Sequence, residues 1–306
     1  MSEKKPKLAI VIVSYNTKDV LLRCLTSLEK QKKPKDNLEI IVVDNNSQDQ
    51  TIESIKKERF KVTLIANQEN LGFCQGNNKG IKYALSRGAD YVMLLNSDAY
   101  TQNCFWQPLV AFLKENKEAG VVTPKIYFAP GHEYHKKRYQ KADQGKVIWA
   151  VGGVMDWNNV AGANRGVDEI DKGQFEKAKK VDFASGCCLL ARAEVWQKVN
   201  YLDERYFMYY EDADFCQKAK SLGWEVFYVP QSKVWHLNAK SSKVGGFLQD
   251  YFISRNRLLF GLRWAPFRAK LALARESGRL LLKGRKWQRA GVRDYYLGKF
   301  GKGSWK

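Results

Sequence analysis

Ile40-Ile41-Val42-Val43-Asp44-Asn45-Asn46-Ser47 is the stretch whose reading decides the fold. Apolar β-branched residues give way at once to polar ones, as happens where a strand buried on both faces reaches the end of a sheet. Outward from it, residues 7–14 have the same character, and residues 19–30 place Val20, Leu21, Cys24, Leu25 and Leu28 at helical spacing. The alternation continues through a helix near 50–57, a strand over 62–66, a helix over 75–87 and a strand at Tyr91–Leu95. Strands alternating with helices predict a doubly wound, mainly parallel α/β sheet. Such sheets bind ligands beyond the carboxyl ends of their strands. Here those ends read Ser14-Tyr15-Asn16, Asp44-Asn45-Asn46-Ser47, Asn67-Gln68-Glu69-Asn70 and Asn96-Ser97-Asp98, all polar.

The chain has 306 residues, 44% of them hydrophobic, and a formal charge of +20. At this length about three quarters of the unfolded surface can be buried, so neither disulfides nor a structural metal is needed for a core. Apolar runs such as Leu8 to Val13 fall far short of the roughly 18 residues of a membrane-spanning helix, and the lysine-rich start lacks the apolar segment of a secretory signal. The expectation is a protein on the cytoplasmic side. Cys24, Cys74, Cys104, Cys187, Cys188 and Cys216 form no CxxC pair and read as reduced, mostly packed residues.

Charge is unevenly placed, with 18 Lys and Arg against 3 Asp and Glu from Gln231 to Lys306, a balance of +15. If residues 267–293 form one helix, Arg268, Arg275, Arg279, Lys286 and Arg293 share a narrow stripe. Phe267, Leu271, Ala274, Leu281 and Leu282 then lie on other faces, while Gly278 and Gly284 weaken the helix. A basic amphipathic helix with Trp264 and Trp287 near its ends suits an anionic membrane surface. A solvated face docked on the domain is the plain alternative. Between the two halves, residues 126–180 lose the alternation and read as an insertion with hairpins. Strand character returns over 181–191, and a short helix follows over 192–198. Glu211-Asp212-Ala213-Asp214 opens a helix ending before Gly223, residues 225–229 read as a strand, and Val234-Trp235-His236 follows.

Asp44 at a strand end can accept hydrogen bonds from a ribose hydroxyl or a base N–H. Its alternative role as cap of the next helix suits Ser47 or Asp49 better. No GxGxxG follows the first strand, which argues against a dinucleotide. Asp98 at another strand end suits a hard divalent cation carrying diphosphate oxygens, and His236 is a further candidate ligand. The carboxylates of Glu211, Asp212 and Asp214 stand at a helix start, where the dipole favours them. The preceding Tyr206-Phe207-Met208-Tyr209-Tyr210 would partly desolvate one of them and raise its basicity towards that of a general base.

Taken in order, Val11-Ile12-Val13-Ser14-Tyr15-Asn16, Val42-Val43-Asp44-Asn45-Asn46-Ser47, Asn70-Leu71-Gly72-Phe73 with Gly76-Asn77-Asn78, Leu95-Asn96-Ser97-Asp98, Ser185-Gly186-Cys187-Cys188-Leu189-Leu190 and Phe207-Met208-Tyr209-Tyr210-Glu211-Asp212-Ala213-Asp214 closely resemble glycosyltransferase family 2, and within it the bacterial rhamnosyltransferase branch. The match runs from about Leu8 to His236. The resemblance implies a GT-A fold over residues 1–236, with a nucleotide-sugar half over 1–100 and an acceptor and catalytic half over 101–236, followed by a basic helical region over 237–306. It further implies a nucleotide-diphosphate sugar donor, a divalent metal, Mg or Mn, and an inverting mechanism. Carried onto this chain, Asp212 is the catalytic base, and Asp98 binds the metal, with His236 completing its shell. Ser14, Tyr15, Asn16, Asp44, Asn46, Asn70, Gly72, Asn78, Asn96 and Ser97 line the donor site, with Asp44 holding the nucleoside and Tyr15 near the nucleobase. Ser185, Gly186 and Glu211 lie on the acceptor side. One departure is that the family's DxD stands here as Asn96-Ser97-Asp98, and loss of one charge should weaken metal binding.

The leading expectation is transfer of rhamnose from dTDP-rhamnose to a cell-surface glycan or polyprenyl-linked acceptor, by an enzyme peripheral on the inner face of the membrane. A UDP-hexose or UDP-N-acetylhexosamine donor is the alternative within the class. Outside it stand a non-catalytic sugar-binding relative and a nucleic-acid-binding protein. The tail carries no nucleic-acid-binding signature, and the expectation is that nucleic acid is not a partner.

Overall fold

The computed structural model describes residues 7–31, 37–102, 104–238 and 246–305. In chain order the first half runs β1 (Leu8–Ser14), α1 (Lys18–Glu29), β2 (Leu38–Asp44), α2 (Thr51–Lys57), β3 (Thr63–Ala66), α3 (Gly72–Ser86) and β4 (Tyr91–Leu95). β1 pairs in parallel with β2 from Leu8 opposite Leu38 to Ser14 opposite Asp44, so these two polar ends lie side by side. β4 is parallel to β1 on its other edge, and β3 continues the sheet beyond β2. The chain therefore reverses its direction of travel across the sheet between β1 and β4, which opens a crevice above β1.

β1 is buried because each face is covered by different elements. Ala9 and Val11 join Ile81 and Ala84 of α3 in one apolar cluster, whereas Leu8, Ile10 and Ile12 join Leu21, Leu25 and Leu28 of α1 in the other. Each Val, Leu or Ile among them contributes about 1.5–3 kcal/mol on full burial. α3 lies very close to the sheet: a Cβ on Gly80 would stand 2.4 Å from Val11 Cγ1.

The second half adds β5 (Ala99–Thr101), α4 (Trp106–Glu115), β6 (Ala119–Phe128), β7 (Ile148–Ala150), the hairpin β8 (Gly153–Asp156) and β9 (Ala161–Asn164), β10 (Lys179–Lys180), β11 (Cys188–Arg192), α5 (Ala193–Val199), α6 (Glu211–Ser221) and β12 (Glu225–His236). The main sheet has the order β10-β12-β6-β11-β4-β1-β2-β3, with β5 beside β12 and β7 beside β6. β11 is antiparallel to both β4 and β6, so an α/β sheet that is parallel through its first half becomes mixed.

Three local expectations are corrected. Residues 126–128 are not the start of an insertion but the buried end of β6, which pairs with β12 up to Phe128 opposite His236. The strand expected over 181–191 is confined to Cys188–Arg192, because Ser185 and Gly186 form a turn in which Cys188 N–H donates to Ser185 O. Residues 267–293 are two helices, α8 (Phe267–Lys283) and α9 (Lys286–Tyr296), following α7 (Phe247–Trp264). Gly284 and Arg285 are extended between them, and the Arg285 guanidinium is held 2.7 Å from Asp250 of α7. The basic stripe is thus divided, with Arg268, Arg275 and Arg279 on α8 and Lys286 and Arg293 on α9. The three helices are joined to the rest: Leu258, Phe260, Leu273 and Val292 share the cluster that includes Ala9 and Val11. The boundary expected after His236 leads into residues 239–245, which lie outside those described. Among the described residues, no helix is long and apolar enough to cross a membrane.

Candidate active site

Asp44 emerges at the crevice completely buried, with one carboxylate oxygen accepting the Ser47 N–H at 2.9 Å. Its Oδ1 is buried without a hydrogen-bond partner. A buried carboxylate oxygen left so is costly unless something else donates to it, and a nucleoside hydroxyl or N–H is a donor of the right kind. The helix after it starts without Asp44, Ser47 or Asp49 as its cap. Gln50 takes that place in the left-handed region, while Asp49 accepts Lys18 N–H and Ser47 Oγ accepts Asn16 N–H, both at 2.9 Å. Asn16 Oδ1 accepts Gln48 N–H at 2.7 Å in return. These reciprocal bonds lock the ends of β1 and β2 together around the crevice. Ser14 is buried beneath it and Tyr15 is exposed at its rim.

Asn45, next to Asp44, faces the other way into the floor. Its amide donates to Gly72 O at 2.9 Å and to Asn70 Oδ1 at 3.3 Å, and accepts from Asn67 at 2.8 Å. Lys79 Nζ donates to Asn67 Oδ1 at 2.6 Å, bringing a cation to this wall. Asn70 also takes the Gly72 N–H at 2.9 Å, which sets the turn into α3. Gly72 has φ +74°, and a Cβ there would strike the Phe207 ring at 2.4 Å, so conformation and space both require glycine.

Asp98 and His236 come together from distant parts of the chain because β5, which begins just after Asp98, pairs with the end of β12, His236 opposite Ala99. His236 Nε2 lies 3.0 Å from Asp98 Oδ1, both residues are almost fully buried, and Trp149 packs edge-on against the imidazole. His236 Nδ1 is buried without a partner. A carboxylate oxygen and an imidazole nitrogen within one cation's span, one of them on a ring with an unsatisfied nitrogen, fit a divalent ion. No group of three or more His, Cys, Asp and Glu suited to a metal occurs among the described residues. Diphosphate oxygens and water would have to complete the shell. Ser97 is nearly buried and shares a hydroxyl chain with Thr17 and Ser14, at 3.1 and 3.0 Å, that ties β4 to β1.

Asp212 occupies the first turn of α6. Gly186 N–H donates to its Oδ2 at 2.9 Å and Ala213 N–H to its Oδ1 at 2.8 Å. The Ser185-Gly186 turn therefore orients the Asp212 carboxylate, and Phe73 packs at Gly186 beside Asp212. Burial raises the Asp212 carboxyl above its ordinary value, partly offset by the two backbone N–H bonds. Glu211 is pushed well above its own value by burial and then by the charge of Asp212, and its Oε2 has no partner. Two adjacent buried carboxyls resist simultaneous ionisation, so one of them holds a proton more tightly than an ordinary carboxyl does. Asp214, fully buried on the same helix, has another task, accepting Trp264 Nε1 at 2.8 Å and pairing with Lys218 at 3.0 Å.

The expected residues fall into hydrogen-bonded groups around Asp44, Asp98 with His236, and Asp212, and two others have their side chains engaged elsewhere. Asn78 is nearly buried behind it, its amide spent on Leu202 N–H, Leu202 O and Glu204, at 3.0, 2.9 and 3.1 Å, so it fixes the loop before the aromatic segment. Asn46 is exposed with φ 64° and donates to Gln68 O at 2.9 Å, a bond that shapes the rim. Asn45, Thr17, Asn67 and Lys79 join the same hydrogen-bond networks and were not among the expected residues. Asn45 and Asn67 stood in the polar strand ends, whereas nothing in the sequence distinguished Lys79 from other helix lysines.

A mixed sheet with a polar switch-point crevice, a strand-end aspartate against a histidine and a carboxylate at a facing helix start define a GT-A glycosyltransferase. The chain belongs to glycosyltransferase family 2, which matches residues 9–199. It is 28% identical over 246 residues to N-acetylglucosaminyl-diphospho-decaprenol L-rhamnosyltransferase of Mycobacterium tuberculosis, covering 77% of each chain. It is 26% identical to the dTDP-rhamnosyl transferase RfbF of Shigella flexneri, covering 81% of this chain and 78% of that one. Among solved structures it is similar to GalNAc-T7 with UDP, GalNAc and Mn2+, with a TM-score of 0.66 at 16% identity, covering 96% of this chain and 55% of that one. A mannosyltransferase from Pyrobaculum calidifontis with GDP-Man and Mn2+ is similar at a TM-score of 0.58 and 14% identity, covering 97% and 75%. These structural likenesses concern the fold.

Proposed function

We propose that this enzyme transfers rhamnose from dTDP-rhamnose, with inversion, to a hydroxyl of a growing cell-surface glycan carried on a polyprenyl diphosphate. The observation that carries the reading is similarity to rhamnosyltransferases over about three quarters of the chain, together with the unpartnered Asp44 oxygen at the crevice. Asp44 and the Asn45–Asn67–Asn70 network hold the nucleoside side of the donor. Asp98 and His236 are the side chains that would hold Mg or Mn; bound there, the cation neutralises charge developing on the departing diphosphate. Asp212 takes the proton from the acceptor hydroxyl as its oxygen bonds to the anomeric carbon. The bond from that carbon to the diphosphate oxygen breaks, and its electron pair leaves with dTDP. The Gly186 and Ala213 N–H groups keep the carboxylate oriented during the transfer.

Residues 1–236 carry this chemistry in our reading, and the basic helices bring it to an anionic, cytoplasmic membrane face. On α8, Ala269, Leu273 and Ser277 are buried, while Phe267 is 73%, Leu271 44% and Leu282 80% exposed on the opposite side, flanked by Arg268, Arg275 and Arg279. Exposed apolar residues beside arginines match a lipid headgroup boundary.

The test is calorimetric binding of dTDP, dTDP-rhamnose, UDP-glucose and UDP-N-acetylglucosamine, with and without Mn2+ or Mg2+. Metal-assisted preference for dTDP compounds is expected. Preference for UDP sugars would overturn the donor, and binding indifferent to metal would overturn the role given to Asp98 and His236.

A further inference from the structure

The backbone just before the catalytic helix is in a conformation its own residues do not favour. Tyr209 and Tyr210 have φ 70° and 72°, consecutive left-handed positions occupied by bulky residues rather than glycine. Tyr210 immediately precedes α6, so this turn sets where Glu211 and Asp212 begin and in which direction they face. Strain of this kind persists only where neighbours over-determine the conformation.

The neighbours come from α7. Asn256 Nδ2 donates to Met208 O at 2.7 Å and to Tyr209 O at 2.9 Å. Its Oδ1 accepts Arg255 Nε at 3.0 Å, which fixes the amide with its NH2 group towards those carbonyls. Arg255 in turn donates to Arg205 O at 3.2 Å and Lys299 O at 3.4 Å, with its guanidinium against both the Tyr251 and Phe252 rings. Both residues are fully buried. A helix that needed only to pack would bury apolar side chains there, since buried polar groups are costly unless their bonds are made. On its other side the same segment meets the donor wall: Phe73 N–H donates to Phe207 O at 2.8 Å. The segment 205–210 is therefore clamped between the donor loop and α7.

We propose that Asn256, oriented by Arg255, is a positioning residue for catalysis, holding the left-handed Tyr209-Tyr210 turn so that Asp212 faces the anomeric carbon of the donor. This rests on the reading of Asp212 as the base. It makes α7 part of the transferase machinery as well as the link to the basic helices.

Asn256→Asp tests it in the whole 306-residue chain, because it keeps the size and the acceptor for Arg255 while replacing the NH2 donor with oxygen. Asn256→Ala is the second variant, and Ser277→Ala, which removes a part-buried bond from α8 to Tyr296 of α9 at 2.6 Å, is the control for general loosening of the helices. Release of dTDP from dTDP-rhamnose, or of UDP from a UDP sugar should binding select it, is measured with a short-chain polyprenyl diphosphate-linked N-acetylglucosamine as acceptor. Nucleotide binding is measured in parallel by calorimetry. The expected result for both Asn256 variants is a kcat lower by about 100-fold, the scale of a 1 Å misplacement, with donor KM and nucleotide stoichiometry unchanged and Ser277→Ala at the parent kcat. Parent kcat in both Asn256 variants, kcat and stoichiometry falling in proportion, or an equal loss in Ser277→Ala would overturn it. Full turnover in Asp212→Asn would overturn the base assignment and this inference together. An inactive Asp212→Asn beside fully active Asn256 variants would overturn this inference alone.

Discussion

In the proposed mechanism, replacing Asp212 by asparagine separates proton transfer from every other task of the site. The amide has the shape of the carboxylate but cannot take a proton from the acceptor hydroxyl. General-base catalysis contributes about 10²–10⁴-fold, which at 1.36 kcal/mol per decade is about 3–5 kcal/mol of barrier. The structural cost is smaller. An asparagine oxygen can still accept the Gly186 N–H, now at 2.9 Å, but its NH2 group would then face the Ala213 N–H, now 2.8 Å from the other oxygen. Leaving the buried Ala213 N–H without its acceptor costs about 1–3 kcal/mol, against a total stability of about 5–15 kcal/mol, so the variant is expected to fold. Asp44, Asn45 and Asn67 do not touch Asp212 through any hydrogen bond described, so nucleotide affinity stays at the parent value. The assay is single-turnover transfer from saturating donor, paired with calorimetry of the nucleotide. Turnover within tenfold of the parent, with binding intact, would refute the role of Asp212.

Further outcomes follow from the same geometry. Gly72→Ala meets the Phe207 ring at 2.4 Å with φ +74°. Left-handed strain of about 1–2 kcal/mol and overpacking of about 1–3 kcal/mol should lower Tm and raise donor KM together, and an unchanged Tm would contradict the packing described. Because burial raises the Asp212 carboxyl, turnover should fall on acidification along a limb above the ordinary carboxylate range, readable from kcat against pH. Glu211, raised by burial and by Asp212, holds its proton in the folded chain where the unfolded chain has lost it. Stability should therefore fall as pH rises from the ordinary glutamate value through the folded one, and Glu211→Gln should flatten Tm against pH over that window. Neutralising Arg268, Arg275 and Arg279 together removes about 3 kcal/mol of attraction at about 1 kcal/mol per residue. Co-sedimentation with anionic vesicles should weaken by about 100-fold, and unchanged binding would exclude α8 as the contact.

The first half of the fold was legible because its strands are buried on both faces and its helices on one, so apolar runs and helical spacing alternate clearly along the chain. β6 and the break between α8 and α9 were not. β6 holds Lys125, fully buried and satisfied by Asp171 at 2.8 Å, a partner far along the sequence. The break after Lys283 is held by Arg285 reaching Asp250 on another helix. In the site, Asp44, Asp98 and Asp212 stood out in the sequence because each ends or begins an element with a carboxylate. Asn78 was harder to read, since an amide near a motif looks alike in sequence whether it faces the crevice or pins Leu202.

What the sequence by itself determined is the order of the elements and the polarity of their ends, properties set by side-chain periodicity within a few residues. What only the tertiary structure decided is convergence. His236 reaches Asp98 through the pairing of β12 with β5, Gly186 aims Asp212 through a turn before β11, and Asn256 holds two left-handed tyrosines from α7. These contacts join residues widely separated in the chain, and their geometry depends on strand register and helix packing, which local sequence pattern does not encode.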